Sequence, residues 1–403
     1  MVEVSSVSVV DTNCCNWSVM WTEPLASREK ENYVVEPYPH TRMWINGRDV
    51  TFEKIVQEKE PPRTPFEEST FAFIRAWLSG EDTFHVTTSG STGTPKNIEV
   101  SRQQMVTSAI RTASHVGLNR SMTALVCIDT RFIGGKMMLA RSLTLGLRIL
   151  AVDPCANPLI KVPIDKWVRF TAFVPYQVTT ILESKHPHLL DSLQCILIGG
   201  APIHNRDVER LQSFQCACYE TYGMTETISH VALKLLNTSG KQQHFQALQG
   251  IDLTVDERGC LSITADYLPE TIKTNDLVEI TSPGHFTWQG RADNAINTGG
   301  IKVIPELLEA RLEPLLRNRG ITNRFIIAGM PDEKLGSRVV LILDGVHFSS
   351  EELLLSINEL KQHCSPYEIP KEVYVASPFI FAGNEKTDRK KTVEAAEFLM
   401  SLR

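Results

Sequence analysis

The residues from Thr87 to Lys96 read TTSGSTGTPK and bring together six hydroxyl side chains, two glycines and one lysine. Glycine lets backbone N–H groups approach a ligand closely, and Ser and Thr hydroxyls donate hydrogen bonds to phosphate oxygens. Lys96 adds a positive charge. This stretch therefore predicts phosphate binding, and the alternative that the residues leave open is a flexible Ser/Gly turn between a strand and a helix.

The glycine spacing in this stretch differs from that of the nucleotide-binding P-loop. That loop follows the pattern G-x-x-x-x-G-K-[ST], whereas here Gly90 and Gly93 are too close together and Lys96 follows Pro95. A P-loop kinase or ATPase is therefore disfavoured. It remains the alternative from another enzyme class, and it would release ADP as its product.

The composition is that of an ordinary globular protein with a negative net charge. The 403 residues are 42% hydrophobic and 22% charged, which is enough for a large core and more than one domain. A formal net charge of -6 argues against a general binder of nucleic acid or anionic membranes. The sequence shows neither a membrane-spanning apolar run nor a signal peptide. We expect a cytoplasmic protein with small-molecule substrates, no nucleic-acid partner and no membrane insertion.

The nine cysteines are expected to be reduced thiols, most of them buried. They include the pairs Cys14-Cys15 and Cys216-x-Cys218. Because they do not form C-x-x-C groups with histidines at zinc-finger spacing, a metal site is disfavoured.

Apolar runs rich in β-branched residues alternate with amphipathic segments along the chain. Strands are expected at Thr123–Ile128 (TALVCI), Leu147–Val152 (LRILAV), Phe170–Pro175 (FTAFVP) and Gln194–Gly200 (QCILIGG). The segments between them are expected to be helices. This alternation predicts an α/β protein with a largely parallel sheet.

Cap residues mark where several of these helices begin and end. Capping-box spacing opens two of them, at Ser101 with Gln104 and at Ser349 with Glu352. Pro305 stands where a first-turn proline belongs, and Gly320 stands where a helix stop belongs. We therefore predict helices after Ser101 and Ser349 and between Pro305 and Gly320.

The composition changes around His285 to Asp293 (HFTWQGRAD). Beyond this point a compact series of helix, strand, strand, helix, strand and helix is expected. We predict a large ATP- and acid-binding domain over residues 1–289 and a small C-terminal domain over residues 290–403.

Five ordered motifs together resemble those of the adenylate-forming superfamily, which includes acyl-CoA synthetases, nonribosomal-peptide adenylation domains and luciferases. They are TSGSTGTPK, YGMTE (Tyr222–Glu226), IKTNDLVEI with Asp276, GRADNAINTGGIKVIPELLE (Gly290–Glu309) and NEKTDRKK with Lys386. Two positions depart from the pattern, since Asn275 and Glu385 stand where the superfamily usually has glycine. The resemblance implies the superfamily's fold: a large N-terminal α/β domain and a small, mobile α+β C-terminal domain.

The resemblance also implies a role for each motif, with ATP, Mg²⁺ and coenzyme A as the co-substrates and cofactor. Phosphate contacts are implied for Thr88, Ser89, Gly90, Ser91, Thr92, Gly93 and Lys96. The remaining nucleotide site is implied to contain Gly199, Gly200 and Ala201 beside the adenine, Tyr222 stacked on it, Gly223, Asp276 on the ribose hydroxyls, and Arg291. Thr225 is implied to contact the α-phosphate, Glu226 to hold Mg²⁺, Lys386 to assist adenylation, and Asp293 to be the hinge.

Three further stretches are similar to those of o-succinylbenzoate:CoA ligases, enzymes of menaquinone synthesis. They are CILIGGAPI, FVPYQVTTIL and RFIGGKMMLARSLTLGLRILAV. This likeness implies adenylation of o-succinylbenzoate and transfer of the acyl group to coenzyme A, releasing AMP and pyrophosphate. Only 86 residues precede Thr87, so part of the usual N-terminal subdomain is expected to be missing or reduced.

o-Succinylbenzoate has two carboxylates, and the one that is not activated requires a cation or hydrogen-bond donors if it is buried. The candidates after the strand TALVCI are Arg131, Lys136 and Arg141. We favour Arg131 because it follows the end of a strand, where α/β proteins place ligand contacts. Lys136 and Arg141 fall within an expected helix, where they are alternatively plain surface charges.

Two other functions remain open besides a P-loop enzyme. One is another aryl- or acyl-CoA ligase of the same superfamily. The other is a degenerate, non-catalytic adenylate-binding protein, because Asn275 and Glu385 replace two glycines. Pyrophosphate exchange that depends on a carboxylic acid separates an enzyme from such a binding protein.

Overall fold

The structure is a computed structural model that describes residues 38–87, 97–237, 242–382 and 386–402. Within these ranges the side chains of residues 381–386 are not described. The hydroxyl-rich stretch Thr88–Lys96 and the pair Cys14-Cys15 therefore lie outside the described residues.

The described residues form nine α-helices and twenty-three strands. The helices are α1 Phe52–Val56, α2 Pro65–Leu78, α3 Arg102–Val116, α4 Ile133–Leu145, α5 Pro175–Glu183, α6 Asn205–Leu211, α7 Pro305–Asn318, α8 Ser350–Leu360 and α9 Arg389–Glu394. The strands are β1 Arg42–Ile45, β2 Arg48–Thr51, β3 Thr83–Thr87, β4 Asn97–Ser101, β5 Thr123–Val126, β6 Arg148–Ala151, β7 Phe170–Phe173, β8 Cys195–Ile198, β9 Ala217–Gly223, β10 His230–Leu235, β11 Phe245–Ala247, β12 Ile251–Val255, β13 Cys260–Ala265, β14 Ile272–Ser282, β15 His285–Arg291, β16 Ile296–Thr298, β17 Ile301–Val303, β18 Phe325–Asp332, β19 Gly336–Asp344, β20 Glu372–Ala376, β21 Phe381–Ala382, β22 Lys386–Thr387 and β23 Glu397–Ser401.

Thirteen of the described strands form one sheet, in the order β12-β13-β14-β15-β11-β10-β9-β8-β7-β5-β6-β1-β2. The strands from β1 to β9 in this order are parallel, which confirms the α/β class and all four predicted strands. The expectation of a largely parallel sheet is wrong for the other half, from β9 to β12, where neighbours pair antiparallel. The reason is connection length, since the two-residue turn Pro283-Gly284 between β14 and β15 is too short for a parallel crossover.

The parallel half of the sheet sets the place of a ligand site. Parallel strands bring their carboxyl ends to one edge, and ligands of α/β proteins bind beyond that edge. The segments that follow β5, β8 and β9 at this edge are Asp129–Phe132, Gly199–Ala201 and Met224–Ser229. Strand β8 is fully buried and β5 nearly so, which fixes the edge rigidly.

The predicted helix boundaries follow local hydrogen bonding. Ser101 Oγ accepts from Gln104 N at 3.1 Å and Gln104 Oε1 accepts from Ser101 N at 2.7 Å, which confirms the capping box that opens α3. Ser349 caps α8 through Glu352 N, but the Glu352 side chain pairs with Arg319 instead of closing a box. Helix α7 begins at Pro305, as predicted.

The C-terminal residues form a second, six-stranded sheet in the order β17-β16-β19-β20-β23, with β18 also paired to β19. Helices α7 and α8 cover one face, where Leu308, Leu312, Leu353 and Ile357 are buried, and α9 packs near the other. The sequence missed the β16–β17 hairpin before α7 and strand β23 after α9. The chain passes from one sheet to the other at residues 292–295, while the division of domains at residues 289 and 290 stays a prediction.

The seven described cysteines are free, and five of them are buried. Cys216, which precedes β9, and Cys218 in β9 have their sulfurs 3.6 Å apart. Burial raises the pKa of the Cys127 thiol to about 12, so it stays protonated at neutral pH. Among the described helices, none combines the length and the hydropathy required to span a bilayer.

Candidate functional site

Three of the predicted motifs are in contact through a group of four residues. We name this group the Arg291 cluster, and it consists of Tyr222, Asp276, Arg291 and Asp293. The Tyr222 hydroxyl donates to Asp276 Oδ2 at 2.7 Å, although β10, β11 and β15 separate β9 from β14 in the sheet order. Arg291 lies at the end of β15, directly opposite Asp276 in the register of β14 and β15. Its Nη1 is 3.5 Å from Asp276 Oδ1.

The charges of the Arg291 cluster compensate one another. Arg291 Nε and Nη2 each donate to the Asp293 carboxylate at 2.9 Å, and these hydrogen bonds lower the pKa of Asp293. Burial, followed by the nearby Asp276 charge, raises the pKa of Tyr222 well above its usual range, so Tyr222 stays a neutral donor. Asp276 is therefore held as a buried acceptor at the carboxyl edge of the sheet.

The Tyr222 ring packs within an aromatic group in the antiparallel half of the sheet. Its centroid lies 5.0 Å from that of Phe286, edge to face, and 5.8 Å from that of Phe245. This packing fixes the ring beside Asp276. That Tyr222 also stacks on adenine stays a prediction.

Hydrogen bonds of the Thr227 side chain hold the turn that contains Thr225 and Glu226. The buried Thr227 hydroxyl accepts from Met224 N at 2.9 Å and donates to Ser229 O at 2.7 Å. Ile228 adopts a left-handed φ of 69°, which is rare for a β-branched residue and is typical of functional turns. Sequence reasoning missed Thr227 and Ile228, because neither a hydroxyl nor an isoleucine signals a strained turn.

Gly199 and Gly200 follow β8 and are favoured for different reasons. A Cβ on Gly199 would lie 2.2 Å from Thr221 Oγ1 of β9, and Gly200 has a left-handed φ of 92°. Gly199 thus lets this segment run close to β9. The contacts predicted between Gly199, Gly200 or Ala201 and adenine are untested.

Arg141 lies within α4 and is 2% exposed, so it is not the surface charge that its helix position suggested. Its Nη2 donates to Ser229 Oγ at 2.5 Å and approaches His230 Nδ1 at 3.4 Å, and its Nε is 3.4 Å from Thr112 Oγ1. We name these four residues the Arg141 cluster. Among the described residues no carboxylate pairs with Arg141.

His230 is neutral in the Arg141 cluster. Thr112 donates its hydroxyl proton to Ser108 O at 3.0 Å, so it accepts from His230 Nε2–H at 2.9 Å. The lone pair of Nδ1 then faces Arg141. Burial, followed by the Arg141 charge, lowers the pKa of His230 well below its usual range. Burial also lowers the pKa of Arg141 to about 10, which leaves it the charged member at neutral pH.

The other two candidate cations near α4 are less buried. Arg131 has a side chain that is 63% exposed, and its guanidinium binds the Asp129 carboxylate with Nη2 at 2.6 Å. Lys136 is partly buried, and its Nζ donates to Arg131 O at 3.2 Å. Both side chains therefore already have partners in the loop after β5.

Two predicted motifs fall partly or wholly outside the described residues. The residues that flank Thr88–Lys96 are neighbours, because Thr87 and Asn97 pair across β3 and β4. Lys386 lies in the short strand β22, opposite Ala382, and only its backbone is described. The phosphate contacts of Thr88–Lys96 and the role of Lys386 stay predictions.

Comparison with known proteins places this protein in the class of adenylate-forming enzymes. Residues 21–252 match the AMP-binding enzyme family, and the chain belongs to that family. The crystal structure of an acyl-CoA synthetase (AMP-forming)/AMP-acid ligase II-like protein from Dyadobacter fermentans is 36% identical, with a TM-score of 0.55 over 84% of this chain and 97% of that one.

The names of several curated relatives specify an acid substrate, which the family name does not. A probable 2-succinylbenzoate–CoA ligase of Mycobacterium tuberculosis is 27% identical over 76% of this chain and 83% of its own length. A 2-succinylbenzoate–CoA ligase of Bacillus cytotoxicus is 25% identical over 80% of this chain and 70% of its own length. The Bacillus subtilis o-succinylbenzoate CoA synthetase in complex with its acyl-adenylate shares the fold, with a TM-score of 0.66 at 20% identity over 78% of this chain and 70% of that one.

Proposed function

We propose that this protein is an o-succinylbenzoate:CoA ligase. It converts o-succinylbenzoate, ATP and coenzyme A into o-succinylbenzoyl-CoA, AMP and pyrophosphate. The names of the curated relatives support this substrate, which is the same compound as 2-succinylbenzoate. The single observation in the chain that favours it is the Arg141 cluster, which holds a buried cation without a carboxylate partner among the described residues.

The proposed reaction has two steps. A carboxylate oxygen of the acid bonds to the α-phosphorus of ATP while the bond to the bridging oxygen breaks and pyrophosphate leaves. The coenzyme A thiol then loses its proton and its sulfur bonds to the acyl carbon, so that AMP leaves. The first step concentrates negative charge on phosphate oxygens, and donors that are already in place stabilise that charge most in the transition state.

Of the residues that we propose for this step, Thr225 follows the carboxyl end of β9 and Asp276 contacts Tyr222 near that end. Thr225 contacts the α-phosphate from its locked turn, and Asp276 accepts hydrogen bonds from the ribose hydroxyls beside Arg291. Lys386 brings a cation to the carboxylate and the α-phosphate. The stretch Thr88–Lys96 binds the β- and γ-phosphates.

Glu226 fits the proposed role of a magnesium ligand. It is exposed in the turn after β9, and it hydrogen-bonds with no other described residue. Mg²⁺ usually binds through one or two carboxylates together with substrate phosphates, so a single free carboxylate beside the phosphate site suits it. When bound, the ion would neutralise phosphate charge.

Arg141 is our proposed partner for the second carboxylate, in place of Arg131. A buried guanidinium that is hydrogen-bonded only to neutral groups lacks the counter-charge that normally offsets its loss of hydration. A carboxylate would supply that charge. Ser229, which accepts from Arg141, lies in the same turn as Thr225 and Glu226, so the cluster adjoins the proposed site of adenylation. The exposed Arg131 already has its counter-charge in Asp129.

Exchange of labelled pyrophosphate into ATP over a panel of carboxylic acids tests the substrate. We expect o-succinylbenzoate to support exchange and its analogue without the aromatic carboxylate to support it with a KM raised about ten- to a hundredfold, as for a charge-assisted hydrogen bond. Arg141→Met should abolish this preference and keep the KM for ATP. A wild-type preference for the monocarboxylate would overturn the assigned substrate, and ADP as product would overturn adenylation itself.

A further inference from the structure

Glu306, in the first turn of α7, holds a carboxylate against the segment that joins the two sheets. Its side chain is only 10% exposed. Oε1 accepts from Asn294 Nδ2 at 2.6 Å, and Oε2 is buried without a hydrogen-bond partner among the residues that the structure describes. A Cβ on Gly290 would lie 2.5 Å from Oε2, so the carboxylate packs directly on the Gly290 backbone.

A buried carboxylate oxygen without a donor is costly, and helix packing alone does not require it. The neighbouring Glu309 already satisfies Arg389, because its two oxygens accept from Arg389 Nη1 at 2.8 Å and Nη2 at 2.6 Å. Glu306 lies farther from that guanidinium, at 3.8 Å. Its closest polar contact is thus Asn294 in the connecting segment.

These contacts complete a continuous chain between two parts of the proposed active site. Asp276 contacts Arg291, and Arg291 binds Asp293. The next residue, Asn294, binds Glu306, which faces Arg389. Arg389 opens α9 and stands three residues after Lys386. Contacts therefore connect the nucleotide side of the proposed site with Arg389, which lies two residues after the end of the strand that carries Lys386.

We propose that Glu306 is a positioning residue that sets Lys386 for adenylation through the segment Arg291–Asn294. The inference rests on the proposed function, in which Lys386 acts in the first half-reaction. In the arrangement described, Oε1 holds Asn294 and the carboxylate keeps α7, and with it Arg389, in a fixed position relative to Arg291. The unpartnered Oε2, packed on Gly290, places this carboxylate directly against the end of β15, where the connecting segment begins.

The test compares both half-reactions in Glu306→Ala, Glu306→Gln and a control, Glu351→Gln. Glu351 also lies in the first turn of a helix, but it is exposed and belongs to α8. We expect Glu306→Ala to lower kcat for pyrophosphate exchange about ten- to a hundredfold, as for a lost hydrogen bond to a charged group, with both KM values kept. Thioester formation from supplied acyl-adenylate should change less than about twofold, because Lys386 is not needed there.

Glu306→Gln keeps an acceptor for Asn294 and should lose less activity than Glu306→Ala, while Glu351→Gln should match the wild type. Asn294→Ala should reproduce the loss, and adding it to Glu306→Ala should cause no further loss if the two residues act through one contact. Additive losses, equal losses in both half-reactions, or unchanged exchange in both Glu306 variants would each overturn the proposal. If Glu306→Ala does not fold, the rate of pyrophosphate exchange in Glu306→Gln, compared with the wild type, tests the role of Glu306.

The outcome is separate from that of the proposed substrate. All rates are measured with whichever acid of the panel supports exchange best in the wild type. If no acid supports exchange, adenylation and the role of Glu306 both fail. If another acid replaces o-succinylbenzoate, only the assigned substrate fails, and the partition between half-reactions still decides the role of Glu306.

Discussion

The Arg141 and Arg291 clusters differ in how far they compensate the charge of their guanidinium group. Arg291 is 33% exposed and binds Asp276 and Asp293, so its charge is neutralised within the protein. Arg141 is almost fully buried, yet its hydrogen-bond partners in the described part of the chain, which include Thr112, Ser229 and His230, are all neutral. The more deeply buried arginine thus has the weaker compensation.

This difference separates two uses of a buried charge. A compensated arginine orients its partners, and here Arg291 lies against Asp276, for which we propose hydrogen bonds from the ribose hydroxyls. An uncompensated arginine costs folding free energy that only a ligand with the opposite charge offsets. The comparison therefore predicts that Asp276 and Arg291 govern the KM for ATP, whereas Arg141 governs the KM for the acid.

The largest effect is expected outside both clusters, at Lys386. Lys386→Ala should lower the rate of adenylate formation by about 10² to 10³, the range for one donor that stabilises developing charge. Thioester formation from supplied acyl-adenylate should survive. The exposed Lys390→Ala, from the same charged run, is the control. Equal loss of rate in both half-reactions would contradict a role for Lys386 that is specific to adenylation. The electrostatic stabilisation of that step would then have to come from the two clusters.

The next effect concerns the compensated cluster. Asp276→Asn keeps an acceptor for the Tyr222 hydroxyl but removes the charge that faces Arg291 and the ribose. We expect the KM for ATP to rise about ten- to a hundredfold, since hydrogen bonds to charged groups contribute about 1.5 to 3 kcal/mol. The KM for the acid should stay within about twofold of the wild type. Asp266→Asn, at an exposed aspartate that pairs with the largely buried Arg111, is the control. A larger change in the KM for the acid would contradict the separation of the clusters.

A smaller effect should appear in stability against pH. The folded-state pKa of His230 lies below its unfolded value of about 6.5, so the unfolded chain binds more protons in acid. The stability that neutral His230 contributes is present above pH 6.5 and is lost as the pH falls toward the folded pKa. The expected slope reaches about 1.4 kcal/mol per pH unit.

Denaturant unfolding of the wild type and of His230→Gln between pH 5 and 8 measures this slope, which the variant should reduce. His85→Gln, at an exposed histidine, should keep it. A slope that is the same in all three proteins would mean that folding does not lower the pKa of His230.

The sequence was sufficient to predict those parts of the fold that local rules determine. The strands β5 to β8, the capping box at Ser101 and the start of α7 at Pro305 each depend on residues close in the chain. The antiparallel half of the sheet was missed because its pairings depend on short turns between strands of mixed polarity. Motif resemblance likewise selected Tyr222, Asp276 and Arg291, but only the structure shows that they touch.

Arg141 shows why the candidate site was harder to predict than the fold. Helix α4 presents charged and apolar residues around it without a strong polar face, so the sequence gives no sign of which charge is buried. Arg131 appeared favourable because it follows a strand. Its guanidinium pairs with Asp129, two residues earlier, so the positive charge that a ligand carboxylate would need is already compensated locally.

The smallest effect is therefore expected at Arg131. Its guanidinium is largely exposed, and exposed ion pairs contribute about 0 to 1 kcal/mol. Arg131→Ala should change the KM for o-succinylbenzoate by less than about fivefold on that basis, and the KM for ATP should not change. Arg141→Met, measured in the same assay, should raise the KM for o-succinylbenzoate at least about tenfold. If Arg131→Ala raised the KM for o-succinylbenzoate more than Arg141→Met, the second carboxylate would be reassigned to Arg131. The ion pair of Arg131 with Asp129 would then have to open when the acid binds. Arg141 would in that case be a buried charge without a ligand, and the contrast between the two clusters would no longer distinguish binding of the acid from binding of the nucleotide.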